Sequence, residues 1–87
     1  MHAVVIRFTI NDRLALPTEL AEVVRDASAA PGFVAVYGIA LGQDQGISIL
    51  VFDSEASASL QALGAQVMEH TALTVEPPEV GEVVAHA

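Results

Sequence analysis

Three stretches of this chain are apolar on both of the faces that a β-strand presents. In "HAVVIRFT" (2–9), His2, Val4, Ile6 and Phe8 alternate with Ala3, Val5, Arg7 and Thr9. In "FVAVYGIAL" (33–41), Phe33, Tyr37, Ile39 and Leu41 alternate with Val34, Val36 and Gly38. In "ISILVFD" (47–53), Ile47, Ile49 and Val51 oppose Leu50 and Phe52, and Ser48 is the sole polar interior position. Successive side chains of a strand point to opposite faces. A sheet covered by helices on one side only alternates apolar with polar residues. These strands do not, so something besides helices must cover the second face. A second copy of the same sheet would do so, which predicts a two-fold homodimer with a barrel-like interior. Of the 87 residues, 53% are hydrophobic, more than a domain of this size hides alone.

The segments between the strands read as helices and turns. Asn11 and Asp12 mark a turn, and Pro17 suits the first turn of a helix. "TELAEVVRDASAA" (18–30) carries Leu20, Val23, Val24 and Ala27 as one apolar stripe, with Glu19 and Glu22 at the positive end of the helix dipole. Pro31-Gly32 stops it, and "GQDQG" joins the second and third strands as a hairpin loop. "SEASASLQALGAQVMEH" (54–70) reads as helix two, capped by Asp53 or Ser54, with Leu60, Leu63, Gly64 and Val67 as its stripe. "TALTVEPPE" is an irregular connector, and "EVGEVVAHA" (79–87) is the fourth strand. The order βαββαβ is the ferredoxin-like arrangement. The expectation is a single α+β domain over 1–87, with one four-stranded antiparallel sheet and both helices on one face. Strand four lies at the edge beside strand one, where a partner chain covers it and His86 becomes an interface residue.

Charge and composition exclude several function classes. The formal net charge is -8, with no lysine and only Arg7, Arg13 and Arg25 as fixed cations. Nothing here neutralises a row of phosphates, so neither nucleic acid nor an anionic membrane surface is an expected partner. With no cysteine there is no disulfide, thiolate nucleophile or Cys-based metal site. No signal peptide and no membrane span is evident, so a cytoplasmic location is expected.

The stretches "APGFVAVYG", "GISILVFDSEASA" and "EVGEVVAHA" resemble small bacterial proteins of the dimeric α+β-barrel superfamily, the group that contains the antibiotic-biosynthesis monooxygenase-like domains. The resemblance runs over nearly the whole chain. Pro-Gly-Phe after helix one and Phe-Asp-Ser-Glu before helix two carry it most specifically. It implies two ferredoxin-like protomers packed sheet to sheet, each with a small cavity between sheet and helices. It also implies a range of activities: oxidation of electron-rich aromatics without metal or flavin, haem degradation, isomerisation, or binding alone. The oxygenases of the group rely on an Asn, Trp, Tyr or His lining the cavity. This chain has no tryptophan, and only Tyr37 and Asn11 of the tyrosine and asparagine types.

Three residues are the candidate polar groups of such a pocket. Tyr37 lies mid-strand and can hydrogen-bond a ligand; as a plain core aromatic it would need one backbone partner. Arg7 lies mid-strand on an apolar face and needs a ligand anion, solvent or an ion pair with Glu79, Glu82 or a partner acid. His70 ends helix two, where it is either a general base or a surface histidine favoured by the dipole. His2 and His86 fall at opposite ends of neighbouring antiparallel strands. No spacing forms a metal-ligand set, and neither metal nor cofactor is expected. Ser48 and Ser54 lack a nucleophile-elbow context, and "GQDQG" lacks the lysine and following helix of a phosphate loop. The function expected is a cofactor-independent monooxygenase-like or isomerase-type enzyme acting on a small aromatic molecule. The alternative is a non-catalytic small-molecule-binding or interaction dimer.

Overall fold

The structure is a computed structural model that describes residues 1–67 and 71–87. Its elements are β1 (His2–Ile10), α1 (Leu16–Ser28), β2 (Phe33–Ala40), β3 (Gln45–Phe52), α2 (Glu55–Val67), β4 (Leu73–Val75) and β5 (Glu79–Glu82). The strands form one antiparallel sheet in the order β2-β3-β1-β4, with β5 also paired to β1. This is a ferredoxin-like α+β fold. No helix among the described residues is long and apolar enough to cross a membrane.

Register assigns every side chain to a face. Val36, Leu50, Val4 and Val80 lie in one row across the sheet; Gly38, Ser48 and Ile6 form the next; Ala40, Gly46, Phe8 and Val75 form a third. These rows face the helices. Val4, Ile6, Leu50 and Phe52 bury against Ala27 of α1 and Ala58 and Ala62 of α2. Phe8, Ile10, Leu16 and Leu73 make a second cluster at the other end. Phe33 meets Phe52 edge to face, with ring centroids 6.3 Å apart, a favoured aromatic geometry. The intervening rows, Tyr37–Ile49–Val5 and Ile39–Ile47–Arg7, point away from the helices.

Three expectations change. The fourth strand is two short strands rather than one, so the sheet has five. β4 pairs Phe8–Ile10, and β5 pairs His2–Val5 with the register slipped by one residue. Pro77 and Pro78 separate them, because proline has no N–H to give a ladder. The last strand also stops at Glu82 instead of running to residue 87; Val84 is 87% exposed, and His86 lies in the exposed tail. In α2 the buried stripe is Ala58 and Ala62, with Ala65 packed against it, whereas Leu60 and Leu63 are 66% and 62% exposed. Both stripes have helical spacing. The sheet surface is already filled by Phe52 and Leu50, and only the alanine stripe lets the helix approach it. Val24 of α1 is likewise exposed, and Leu16 takes its place at the start of the buried stripe.

The turn between α1 and β2 fixes how α2 is launched. Gly32 has φ 79°, a conformation that side chains other than glycine rarely adopt. Its carbonyl accepts a hydrogen bond from the Asp53 amide at 2.8 Å, and a Cβ at this glycine would collide with the Asp53 carboxylate and the Ser57 hydroxyl. Ser54 caps α2, its Oγ accepting from the Ser57 amide at 3.2 Å. Gly32→Ala is expected to destabilise the fold by about 1–2 kcal/mol from backbone strain alone, with the collision added. Urea denaturation reads this directly. An unchanged midpoint would show that the turn tolerates a side chain.

Candidate functional site

Between the inner face of the sheet and the two helices lies a cavity of about 410 Å³. Its floor is Ile6, Phe8, Ser48 and Leu50; Leu20 and Val23 of α1 and Gln61 and Ala65 of α2 form the walls. Leu73 and Val75 close one end, and Glu76, Pro77 and Pro78 make the rim. The cavity follows from small residues at matched positions. The Gly38–Ser48–Ile6 row has little bulk on two of its three strands, and α2 presents alanine above it. A shallower hollow of about 230 Å³ opens at the β2 edge, bordered by Pro17, Ala21, Val24 and Tyr37, and shares Leu20, Val23 and Ser48 with the cavity.

Ser48 is the polar group at the centre. Its exposure is 6%. Among the described residues that line the cavity, Ser48 offers a hydroxyl that can donate to and accept from whatever enters. Its signal in the sequence was a lone polar residue in an otherwise apolar strand. Gln61 had no such signal, because glutamine on a helix usually faces solvent.

Arg7 and Tyr37 lie elsewhere. Arg7 stands on the sheet face away from the helices, and its Nη1 donates to Glu79 Oε1 at 3.2 Å. That is the ion pair the sequence offered as the structural alternative. Both side chains are more than half exposed, so the pair contributes roughly 0–1 kcal/mol. Tyr37 is on the same outer face, 57% exposed, with β3 between it and Arg7. His70 lies outside the described residues. The geometry therefore does not bring Arg7 and Tyr37 together at the cavity. His2 Nε2 lies 3.5 Å from Glu55 Oε2, and its Nδ1 is buried with no partner among the described residues. No group of three His, Asp or Glu residues among the described residues is placed to hold a metal.

One carboxylate shapes the far end of the site. Glu19 of α1 accepts hydrogen bonds from the Thr71 amide at 2.8 Å, the Thr71 hydroxyl at 3.3 Å and the Ala72 amide at 2.6 Å. From the sequence it was only a dipole-favoured charge. In the fold it ties the segment before β4 to the first turn of α1, and so positions Leu73 at the cavity end. Hydrogen bonds to a charged group contribute roughly 1.5–3 kcal/mol each when buried and less when exposed. Glu19→Ala is expected to lower stability by about 1–3 kcal/mol and to speed amide exchange at Thr71 and Ala72. Exchange unchanged at those two amides would show that the clamp is not formed.

No family model and no curated protein matches the sequence. Among solved structures, the chain is similar to MhuD, a haem-degrader from Mycobacterium tuberculosis solved with two haems bound in its active site. The two superpose with a TM-score of 0.63 over 98% of each chain, at 15% sequence identity. The likeness extends from β1 to the C-terminal tail, and what it establishes for this chain is the ferredoxin-like fold.

Proposed function

We propose that this protein is a homodimeric, monooxygenase-like α+β-barrel protein that takes a small, mostly apolar molecule into the cavity and oxidises it without a cofactor. The observation that carries the proposal is the apolar cavity with the buried Ser48 among its lining residues. A concave apolar site with few placed polar groups is the usual form of a small-molecule site. The structural likeness to a haem-degrading protein supports an oxidative reading of that site.

The described residues that line the cavity offer haem no iron ligand. Haem iron takes His, Cys, Met or Tyr as its axial ligand, and none of these lines the cavity among the described residues. No arginine lines it to hold the propionates, and the chain has no lysine. The proposed chemistry is direct. An electron-rich phenol gives up a proton and reacts with dioxygen to become a quinone: the substrate loses two hydrogens and supplies all four electrons, one oxygen atom enters the product, and the other leaves with the two hydrogens as water. His70 is the proposed base, since its type titrates near neutral pH. It precedes Thr71, which Glu19 holds, and Leu73, which lines the cavity.

The outer face of the sheet is assigned to a second copy of the chain. Val5, Ile47, Ile49, Val51 and Ile39 form an apolar surface there, with Tyr37 among them. In this proposal Arg7 and Tyr37 act at the subunit interface rather than as polar groups of the cavity. A non-catalytic binder is the second reading, favoured by the small number of polar side chains in the cavity walls.

Two measurements test the proposal. Sedimentation at micromolar concentration is expected to show a dimer that Ile49→Asp converts to monomer; a wild-type monomer would sink the interface. Oxygen uptake with electron-rich phenols is expected to saturate and to fall at least tenfold in His70→Asn with binding retained. Saturable binding with no oxygen uptake by the wild type would leave the binder reading standing and remove the enzyme.

A further inference from the structure

The cavity holds a charge asymmetry that its apolar walls make decisive. Among the described residues that line it, the floor and walls are uncharged, Ser48 and Gln61 are the polar side chains, and Glu76 on the rim is the one ionisable residue. The fixed cations are placed elsewhere. Arg7 is on the opposite face of the sheet with Glu79. Arg13 donates from Nη1 to the carbonyls of Gly42 and Gln43 at 3.2 and 3.0 Å. Arg25 is in the last turn of α1 and does not line the cavity. The chain has no lysine, and its net charge is -8.

From this we propose that the cavity selects ligands by charge: it takes an apolar body that is neutral or carries an ammonium group, and it rejects carboxylates. The inference rests on the cavity being the binding site, as proposed above. A carboxylate entering the cavity would lose its hydration with no arginine or lysine among the described lining residues to replace it, which is strongly unfavourable. An ammonium group at the rim keeps partial hydration and meets the Glu76 carboxylate, while the apolar body fills the space over Ile6, Phe8 and Leu50. Ser48 and Gln61 can accept from or donate to a neutral hydroxyl or amide on the same body. The preference separates the ligand class of this chain from haem, whose propionates are anionic.

Three matched fluorescent probes test it: naphthylethylamine, naphthylethanol and naphthylacetate, titrated at neutral pH in low and high salt. The amine is expected to bind roughly two- to fivefold tighter than the alcohol, the range of an exposed ion pair, with the advantage shrinking in high salt. Naphthylacetate is expected to bind at least about tenfold weaker than the alcohol. Glu76→Gln is expected to bring the amine and alcohol affinities together. Naphthylacetate binding as tightly as the alcohol, or an amine advantage that survives Glu76→Gln, would overturn the charge inference. Ala65→Leu and, separately, Gln61→Phe fill the cavity, and circular dichroism verifies that each variant folds. Loss of all three probes in folded blocking variants locates the binding. Binding that persists in them, or no saturable binding of any probe to the wild type, would overturn the cavity reading and the charge inference with it. A reversed charge order that both blocking variants abolish would overturn the charge inference alone.

Discussion

Everything in this fold hangs on the two ladders of β1. On one side it pairs with β3 from His2 to Thr9, and on the other with β4 and β5 in succession. Its inward residues Val4, Ile6, Phe8 and Ile10 enter both core clusters. A strand bonded on both edges and buried on one face has little freedom to shift, because a one-residue slip would turn its apolar set outward. The positions of β3, of the hairpin beyond it and of the chain's C-terminal strands are all set relative to this one element.

The cavity is the complement of that rigid sheet. Where the sheet carries large side chains, at Leu50 and Phe52, the alanine stripe of α2 packs directly on it. Where the sheet carries Ser48, Leu20 and Val23 of α1 and Ala65 of α2 border the space without filling it. Protein interiors are normally packed to the density of organic crystals. A volume of this size beside a well-packed core is thus a local feature of residue size, made by alanine, serine and glycine at matched rows. Glu19 then fixes its far end from α1, and the Pro77–Pro78 pair fixes its rim.

The sequence made the strands, the two helices and the hairpin legible, because apolar runs bounded by Pro31-Gly32 and "GQDQG" leave few alternatives. The alternation argument also picked out the apolar outer face. The phase of α2 was not legible, since leucine and alanine stripes both repeat at helical spacing and only the bulk of the facing strand decides between them. The split of the last strand is written in Pro77 and Pro78, but a strand as short as Leu73–Val75 leaves too few residues for an alternation to show. Arg7 and Tyr37 were singled out for their chemistry. Their register places them on the face opposite the cavity, and register depends on pairing with β3, which no single strand reveals.

The break between β4 and β5 has a consequence for the life of the chain in concentrated solution. A sheet this apolar, with a long straight free edge, would be a template for adding strands from other copies without limit. Here one edge is two fragments of three and four residues, out of register with each other and divided by two prolines that cannot donate. The other edge, β2, carries an irregularity between Phe33 and Ala35, and bulges of this kind twist an edge out of the plane needed for pairing. Growth sideways is thereby obstructed at both ends of the sheet. The flat of the sheet, with Val5, Ile47, Ile49 and Val51 on its outer face, is a surface of another kind, where a two-fold contact would close on itself instead of propagating into fibres.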